Sequence, residues 1–165
     1  MYILCNLDSE HYTDPEYRKF NSNTKLEDIR KYAVKDAREY IRDEMGRKSA
    51  EEGIYEWDKD GMRLDARVGD FFVVYEIKEL PDADYIIGYY HAYNGVDFTV
   101  RTATSIDVAR EIAKSEADIL VDKMSVPLED YDTDNINQRI VDDGCQWHVW
   151  STYYMNTETS VKAVA

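Results

Sequence analysis

The sequence contains few residues that form disulfides or interrupt regular structure, and it lacks long apolar runs. Its 165 residues include two cysteines, three prolines and seven glycines. Two cysteines are too few for a disulfide framework, and a chain of this length needs none, so we expect a reducing, cytoplasmic compartment. So few prolines and glycines exclude a linker-rich or collagen-like protein. No apolar run approaches the roughly 18 residues of a membrane-spanning helix, and the N-terminus lacks the basic flank of a signal peptide.

Signatures of catalysis and metal binding are also scarce. The sequence has no glycine-rich phosphate loop and no Gly-x-Ser-x-Gly turn. Cys145 and His148 lie three residues apart on a predicted strand, where they would point to opposite faces. Two aspartate-rich stretches, 58–61 and 132–135, resemble calcium loops faintly but lack the distal glutamate. We therefore expect no cofactor and no metal site, and the sequence favours a protein that is not an enzyme.

Basic residues are outnumbered: 34 acidic residues face 20 basic ones, which gives a net charge of −14. So acidic a chain repels free nucleic acid and anionic membranes, and its favoured partners are basic surfaces. Simple solubility is the other interpretation. The carboxylates concentrate in two acidic blocks, which would imitate a phosphate backbone if they shared one face. The first block is Glu51, Glu52, Glu56, Asp58, Asp60, Asp65 and Asp70; the second is Glu129, Asp130, Asp132, Asp134, Asp142 and Asp143.

Fourteen tyrosines form the second unusual feature. Tyrosine is common in half-buried sheets and enriched at protein interfaces, so packing and binding both explain it. The sequence predicts an aromatic face or pocket, formed by Tyr85, Tyr89, His91, Tyr93, Trp147 and His148. This face supports two alternative functions, a structural or oligomerising module and a small ligand-binding domain or enzyme with a pocket near His91.

Hydrophobic periodicity predicts an α+β fold, with one mostly antiparallel, twisted sheet of about six or seven strands. Two longer amphipathic helices, 24–45 and 104–125, pack on one face, each opened by a capping box at Thr24 or Thr104. Asn94-Gly95 predicts a hairpin inside an antiparallel meander from 62 to 101. The predicted strands are 2–7, 54–57, 62–68, 71–79, 85–93, 96–101 and 145–155; 8–23 is predicted as a loop and 134–143 as a short third helix.

Residues 1–155 are predicted to form a single domain, followed by a polar C-terminal tail, 156–165. The two longer helices align without a gap at an offset of 80, which indicates a possible weak internal repeat. The stretches after them do not align, because one half has strands where the other has the third helix. Capping and amphipathic patterning produce such similarity by themselves, so shared physics is the preferred interpretation.

The preferred function is a non-enzymatic, acidic protein-interaction module with a basic protein surface as its partner. In its sharpest form it is an inhibitor of the phage or mobile-element type, which mimics nucleic acid to block a nucleic-acid-binding enzyme. Direct binding to nucleic acid or membrane is not expected, and a homodimer stays open.

Overall fold

The computed structural model describes residues 1–10, 15–91, 97–105, 107–109, 111, 112, 115, 136–140, 146–151 and 157–164. For 89–91, 97 and the three stretches after 135 the backbone alone is described. The chain forms two compact units, Met1–Asp82 and Ala83–Ala165. Each unit contains one five-stranded antiparallel sheet. The α+β class and the antiparallel pairing predicted from the sequence are confirmed, but two sheets replace the single sheet of six or seven strands.

The first unit is a sheet with a long helix across one face. Its strands are β1 (Tyr2–Asp8), β2 (Glu16–Phe20), β3 (Ile54–Trp57), β4 (Arg63–Val68) and β5 (Phe71–Glu79), in the order β2-β1-β5-β4-β3. Helices α1 (Leu26–Met45) and α2 (Arg47–Glu52) lie between β2 and β3 in sequence. Gly46, at φ +88°, separates the two helices in a conformation that favours glycine.

The core of this unit lies between α1 and the sheet. Ile29, Ala33, Ala37 and Ile41 recur every four residues and are fully buried. They pack against Leu4, Leu64, Val73, Tyr75 and Ile77 of the strands. Small alanines at the centre of the stripe let the helix approach the sheet closely. On the opposite face of the sheet, Ile3, Cys5 and Leu7 are buried as well, so β1 reads as a continuous apolar run.

The second unit contains the strands β6 (Tyr85–His91), β7 (Asp97–Ala103), β8 (Ile136–Ile140), β9 (Gln146–Ser151) and β10 (Thr157–Val164). Their order is β7-β6-β10-β9-β8. Residues 107–109, 111, 112 and 115 are helical, and they lie between β7 and β8 in sequence. Among the described residues, no helix combines the length and the apolarity that crossing a membrane requires.

Both units have the same strand order, because counting from the first strand of each gives 2-1-5-4-3 twice. The helical stretches also correspond at the offset of 80: Ile29 and Ala109 are buried, and Lys31 and Glu111 are exposed. The internal repeat stays a hypothesis beside the preferred interpretation of shared physics. The objection from unmatched downstream stretches no longer applies, because both halves continue with three strands.

Several local predictions were wrong, three of them where short polar stretches form strands. The predicted loop 8–23 contains β2, the third helix 134–143 is replaced by β8, and β10 occupies most of the polar tail. The predicted meander from 62 to 101 is divided, since β5 and β6 belong to different sheets. Residues 94 and 95 lie outside the described residues, although β6 and β7 pair as the hairpin prediction requires.

The helix caps differ from the prediction by one residue. Lys25, not Thr24, is the N-cap of α1, and no side chain caps it. The Thr24 amide donates to the Asn21 carbonyl oxygen in the preceding turn. In the second unit, Ser105 accepts a hydrogen bond from the Val108 amide at 3.2 Å, so the cap forms at Ser105 and not at Thr104.

Candidate functional site

The first acidic block is exposed in full but is spread over several places. Glu51 and Glu52 lie on α2, Asp58 and Asp60 in the β3–β4 turn, and Asp70 in the β4–β5 turn. These two turns lie at opposite ends of β4. The block therefore borders the β3–β4 edge of the sheet rather than forming one compact patch.

Glu56 and Asp65 are the pair that the structure brings together. They are directly opposite in the β3–β4 register, where two like charges repel each other. Basic neighbours compensate: Arg67 Nη2 lies 3.6 Å from Glu56 Oε2, and Arg63 Nε lies 3.2 Å from Asp65 Oδ2. This part of the sheet surface consequently carries both signs of charge.

Asp58 has a structural role in its turn. Its Oδ1 accepts hydrogen bonds from the Met62 amide at 2.7 Å and the Arg63 amide at 3.1 Å. The amide of Arg63, followed by that of Met62, holds the pKa of the Asp58 carboxyl below its ordinary value. This carboxylate closes the β3–β4 turn as an Asx-type turn residue does.

The remaining predicted site residues are described only in part. The second acidic block, Glu129, Asp130, Asp132, Asp134, Asp142 and Asp143, lies outside the described residues, as does Tyr93. Tyr85 begins β6 and is half-buried, and Tyr89, His91, Trp147 and His148 lie in strands with described backbones. The register brings Tyr89 and Trp147 into one row, since both pair with Val161. The aromatic face or pocket stays a prediction.

A basic groove of about 750 Å³ lies along the solvent side of α1. Such a volume is in the range of known ligand sites, about 300–1,000 Å³. Its walls hold three acidic residues, Glu27, Glu39 and Glu51, and six basic ones. The basic groove is lined by Arg30, Lys31, Lys35, Arg38, Arg42 and Arg47, with Val34, Ala50 and Trp57 as its apolar part.

Four of these basic residues form a stripe on α1. Lys31, Lys35, Arg38 and Arg42 follow one another at spacings of four, three and four, which places them on one helix face. The stripe is about 16 Å long at the helical rise of about 1.5 Å per residue. All four side chains are exposed, on the side of α1 away from the buried alanines.

The acidic neighbours of the stripe neutralise it only weakly. Lys31 pairs with Glu27 at 2.8 Å, and Lys35 lies 3.8 Å from Glu39. Such exposed pairs contribute about 0–1 kcal/mol each, so an incoming carboxylate can replace them. The Arg38 guanidinium instead lies over the Tyr55 ring, 5.1 Å from its centroid, in a cation–π contact.

A second polar cluster lies beneath α1 and is closed by its own hydrogen bonds. Asp36 accepts from the Tyr75 hydroxyl at 2.8 Å and from the Tyr32 hydroxyl at 3.2 Å, and Arg18 donates to the Tyr32 oxygen. Burial, followed by the charge of Asp36, raises the pKa of Tyr75. These groups join the helix to the sheet, so their role is structural.

Tyr40 repeats this arrangement on the next turn of α1. Burial, followed by a hydrogen bond to Asp8, raises the pKa of its hydroxyl, and its ring stacks on Phe71 at a centroid distance of 6.5 Å. Cys5 is fully buried, and burial raises the pKa of its thiol, so it is a poor nucleophile. In the described part of the chain, no three His, Cys, Asp or Glu side chains lie together in a way that could hold a metal ion.

Sequence reasoning missed the basic groove, because it followed the sign of the net charge. A signal for the groove was present: residues 25–50 hold eight basic and six acidic residues in a chain of net charge −14. The helical spacing of Lys31, Lys35, Arg38 and Arg42 would have placed four of them on one face. The approach of Trp57 and Ala50 to this face depends on the tertiary fold and has no local signal.

Comparison with known proteins adds no relative to this description. No protein-family model, no curated protein and no solved structure matches the chain. Function is therefore argued from the charge, exposure and contacts of the described residues.

Proposed function

We propose that this protein is a non-enzymatic interaction module that presents carboxylates to a basic protein partner. The observation that carries the proposal is the exposure of all seven carboxylates of the first acidic block, in a chain of net charge −14. Complementary charge accelerates association and selects the partner more than it adds affinity. In its sharpest form, the protein occupies the nucleic-acid site of a basic enzyme and so inhibits it.

The two acidic blocks contribute unequally to this function. Arg63 and Arg67 are paired with carboxylates of the first block, which reduces its attraction for a basic surface. The second block has six acidic residues between 129 and 143 and one basic residue, Arg139. We therefore assign most of the binding charge to the second block, and a supporting role to the exposed Asp60 and Asp70 of the first.

The test is capture by the purified full chain, with identified bacterial DNA-binding proteins eluted by salt or displaced by added duplex DNA. Neutralising Glu129, Asp130, Asp132 and Asp134 to their amides should weaken the captured interaction at least tenfold and flatten its salt dependence.

A matched control separates local charge from net charge. Asp28→Asn, Asp43→Asn, Glu44→Gln and Glu79→Gln also remove four charges, at exposed positions outside both blocks. This control should retain most of the affinity. Equal losses in both variants, or retention that duplex DNA does not displace, would count against nucleic-acid mimicry.

A further inference from the structure

The basic stripe of α1 aligns in sequence with acidic and neutral residues of the second unit. At the offset of 80, Lys31 and Lys35 of the stripe correspond to Glu111 and Ser115, and Arg38 and Arg42 to Asp118 and Asp122. The structure supports the offset over the described part, since Lys31, Lys35, Glu111 and Ser115 are all exposed, whereas Ile29 and Ala109 are buried. Asp118 and Asp122 lie outside the described residues and are matched by sequence alone.

The same face of the second helical segment also offers an apolar side chain. Val108 is 37% exposed, and it precedes Glu111 by three residues and Ser115 by seven, which places all three on one helix face. The basic groove offers the matching chemistry, because Val34, Ala50 and Trp57 interrupt its charged wall. Val108 beside Glu111 is therefore complementary to the groove, where the apolar residues lie beside guanidinium and ammonium groups.

We propose that the basic groove binds the second helical segment of another copy of this chain, through Val108 and Glu111. Each copy carries one groove and one such segment, so every molecule is both donor and acceptor of the contact. This self-association is separate from the proposed binding of a basic partner, which uses the acidic blocks.

The groove suits a helix with few charges better than a nucleic-acid backbone. Glu27, Glu39 and Glu51 stand among its basic residues, and a continuous row of phosphates would meet all three. A helix presents carboxylates at intervals of three or four residues, as the stripe presents its cations. Arg38 is the central anchor, because its guanidinium is held on the Tyr55 ring with donors suited to a carboxylate.

The test is sedimentation velocity of the full chain at micromolar concentrations and physiological salt. We expect the wild-type chain to associate reversibly. Arg38→Glu with Arg42→Glu should weaken association at least tenfold, and so should Glu111→Arg with Ser115→Arg. Mixing these two variants restores opposite charges in both directions, because the groove of each variant then faces the segment of the other. The mixture should therefore associate although neither variant does alone.

The matched control is Lys25→Glu with Lys59→Glu, which makes the same change in net charge at exposed positions outside the groove. It should associate as the wild type does. Circular dichroism checks that each variant is folded, and Arg38→Gln with Arg42→Gln replaces the reversed pair if that pair unfolds the chain.

A monomeric wild type, or unchanged association of the groove variant, would overturn the proposal. Failure of the mixed variants to associate would overturn the pairing with the second helical segment. Binding of a labelled single-stranded oligonucleotide that Arg38→Gln with Arg42→Gln abolishes would give the groove a different occupant and would also overturn it. Glu51 belongs to the first acidic block and also lines the groove, but none of the substituted residues lies in either acidic block. Each result is therefore distinguishable from failure of the proposed function.

Discussion

Arg30 fastens α1 to the turn that contains Gly61. Its Nε donates a hydrogen bond to the Gly61 carbonyl oxygen at 2.6 Å, and its Nη2 donates to the Asp60 carbonyl oxygen at 3.0 Å. A side chain at position 61 would enter this contact, since its Cβ would lie 2.5 Å from Arg30 Nη2. The guanidinium can withdraw only by breaking both hydrogen bonds.

Gly61→Ala should therefore destabilise the protein more than Gly69→Ala. Both glycines have positive φ, +66° and +58°, so each substitution costs about 1–2 kcal/mol of backbone strain. Nothing lies within 4 Å of a Cβ at Gly69, whereas Gly61→Ala also displaces Arg30, at about 1 kcal/mol per lost hydrogen bond. Urea unfolding measures both. Equal losses would show that the contact with Arg30 adds nothing, and Arg30→Gln should remove the difference.

Tyr75→Phe should change both stability and its dependence on alkaline pH. Removing the hydroxyl leaves Asp36 Oδ2 without this donor, which costs about 1–3 kcal/mol at neutral pH. The pKa of Tyr75 is raised in the folded state, so its contribution is complete below the unfolded value of about 10 and is lost as pH rises further.

The measurement is urea unfolding at a series of pH values from neutral to above 10. The wild type should lose stability above about pH 10, where the unfolded phenol ionises and the folded one does not. Tyr75→Phe should fall less steeply, and Tyr40 keeps part of the slope because its pKa is raised as well. An unchanged slope in Tyr75→Phe would contradict the burial of its hydroxyl.

Ala33→Leu should disturb the packing of α1 on the sheet. Ala33 is fully buried between Ile29 and Ala37, where three additional carbons have no free volume. Overpacking of this kind costs about 1–3 kcal/mol. Glu44→Leu, at an exposed position of the same helix, should stay within about 0.5 kcal/mol of the wild type. Thermal unfolding of the two variants compares them, and an unperturbed Ala33→Leu would indicate a looser helix–sheet contact.

The thiol of Cys5 should react only when the protein unfolds. It is fully buried, and burial raises its pKa, so little thiolate is available to a disulfide reagent. Cys145→Ser removes the other cysteine, so the reaction of Cys5 with such a reagent can be followed alone. Its rate should rise sharply with urea through the unfolding transition. Rapid reaction without denaturant would contradict the burial of β1.

Elements with a strong hydrophobic pattern were predictable from the sequence. The run from Phe71 to Glu79 is the buried central strand β5 with the predicted bounds, and the stripe from Ile29 to Ile41 is the buried face of α1. Each pattern is compatible with one structure, because a long apolar run, or an apolar residue at every fourth position, must be buried against another element.

Short polar strands were not predictable, because pairing and not composition stabilises them. In β2, Arg18 and Lys19 read as loop residues, yet the backbone pairs with β1 along the whole strand. Ile136 and Ile140 of β8 are four residues apart, which fits one helix face as well as one strand face. For the site, the exposure of the first acidic block followed from its composition, whereas its distribution over two turns and a helix depends on the fold.

The pairing of β1 with β5 sets the order in which the first unit can assemble. Tyr2 of β1 lies opposite Glu79 of β5, so β1 leaves the ribosome about seventy residues before its central neighbour in the sheet. At about 5–20 residues per second, that interval lasts several seconds. During this interval, the apolar strand β1 has no central pairing partner and is exposed to non-specific association. A chaperone that holds extended apolar peptides would therefore bind β1 during this interval, and release would coincide with the synthesis of β5.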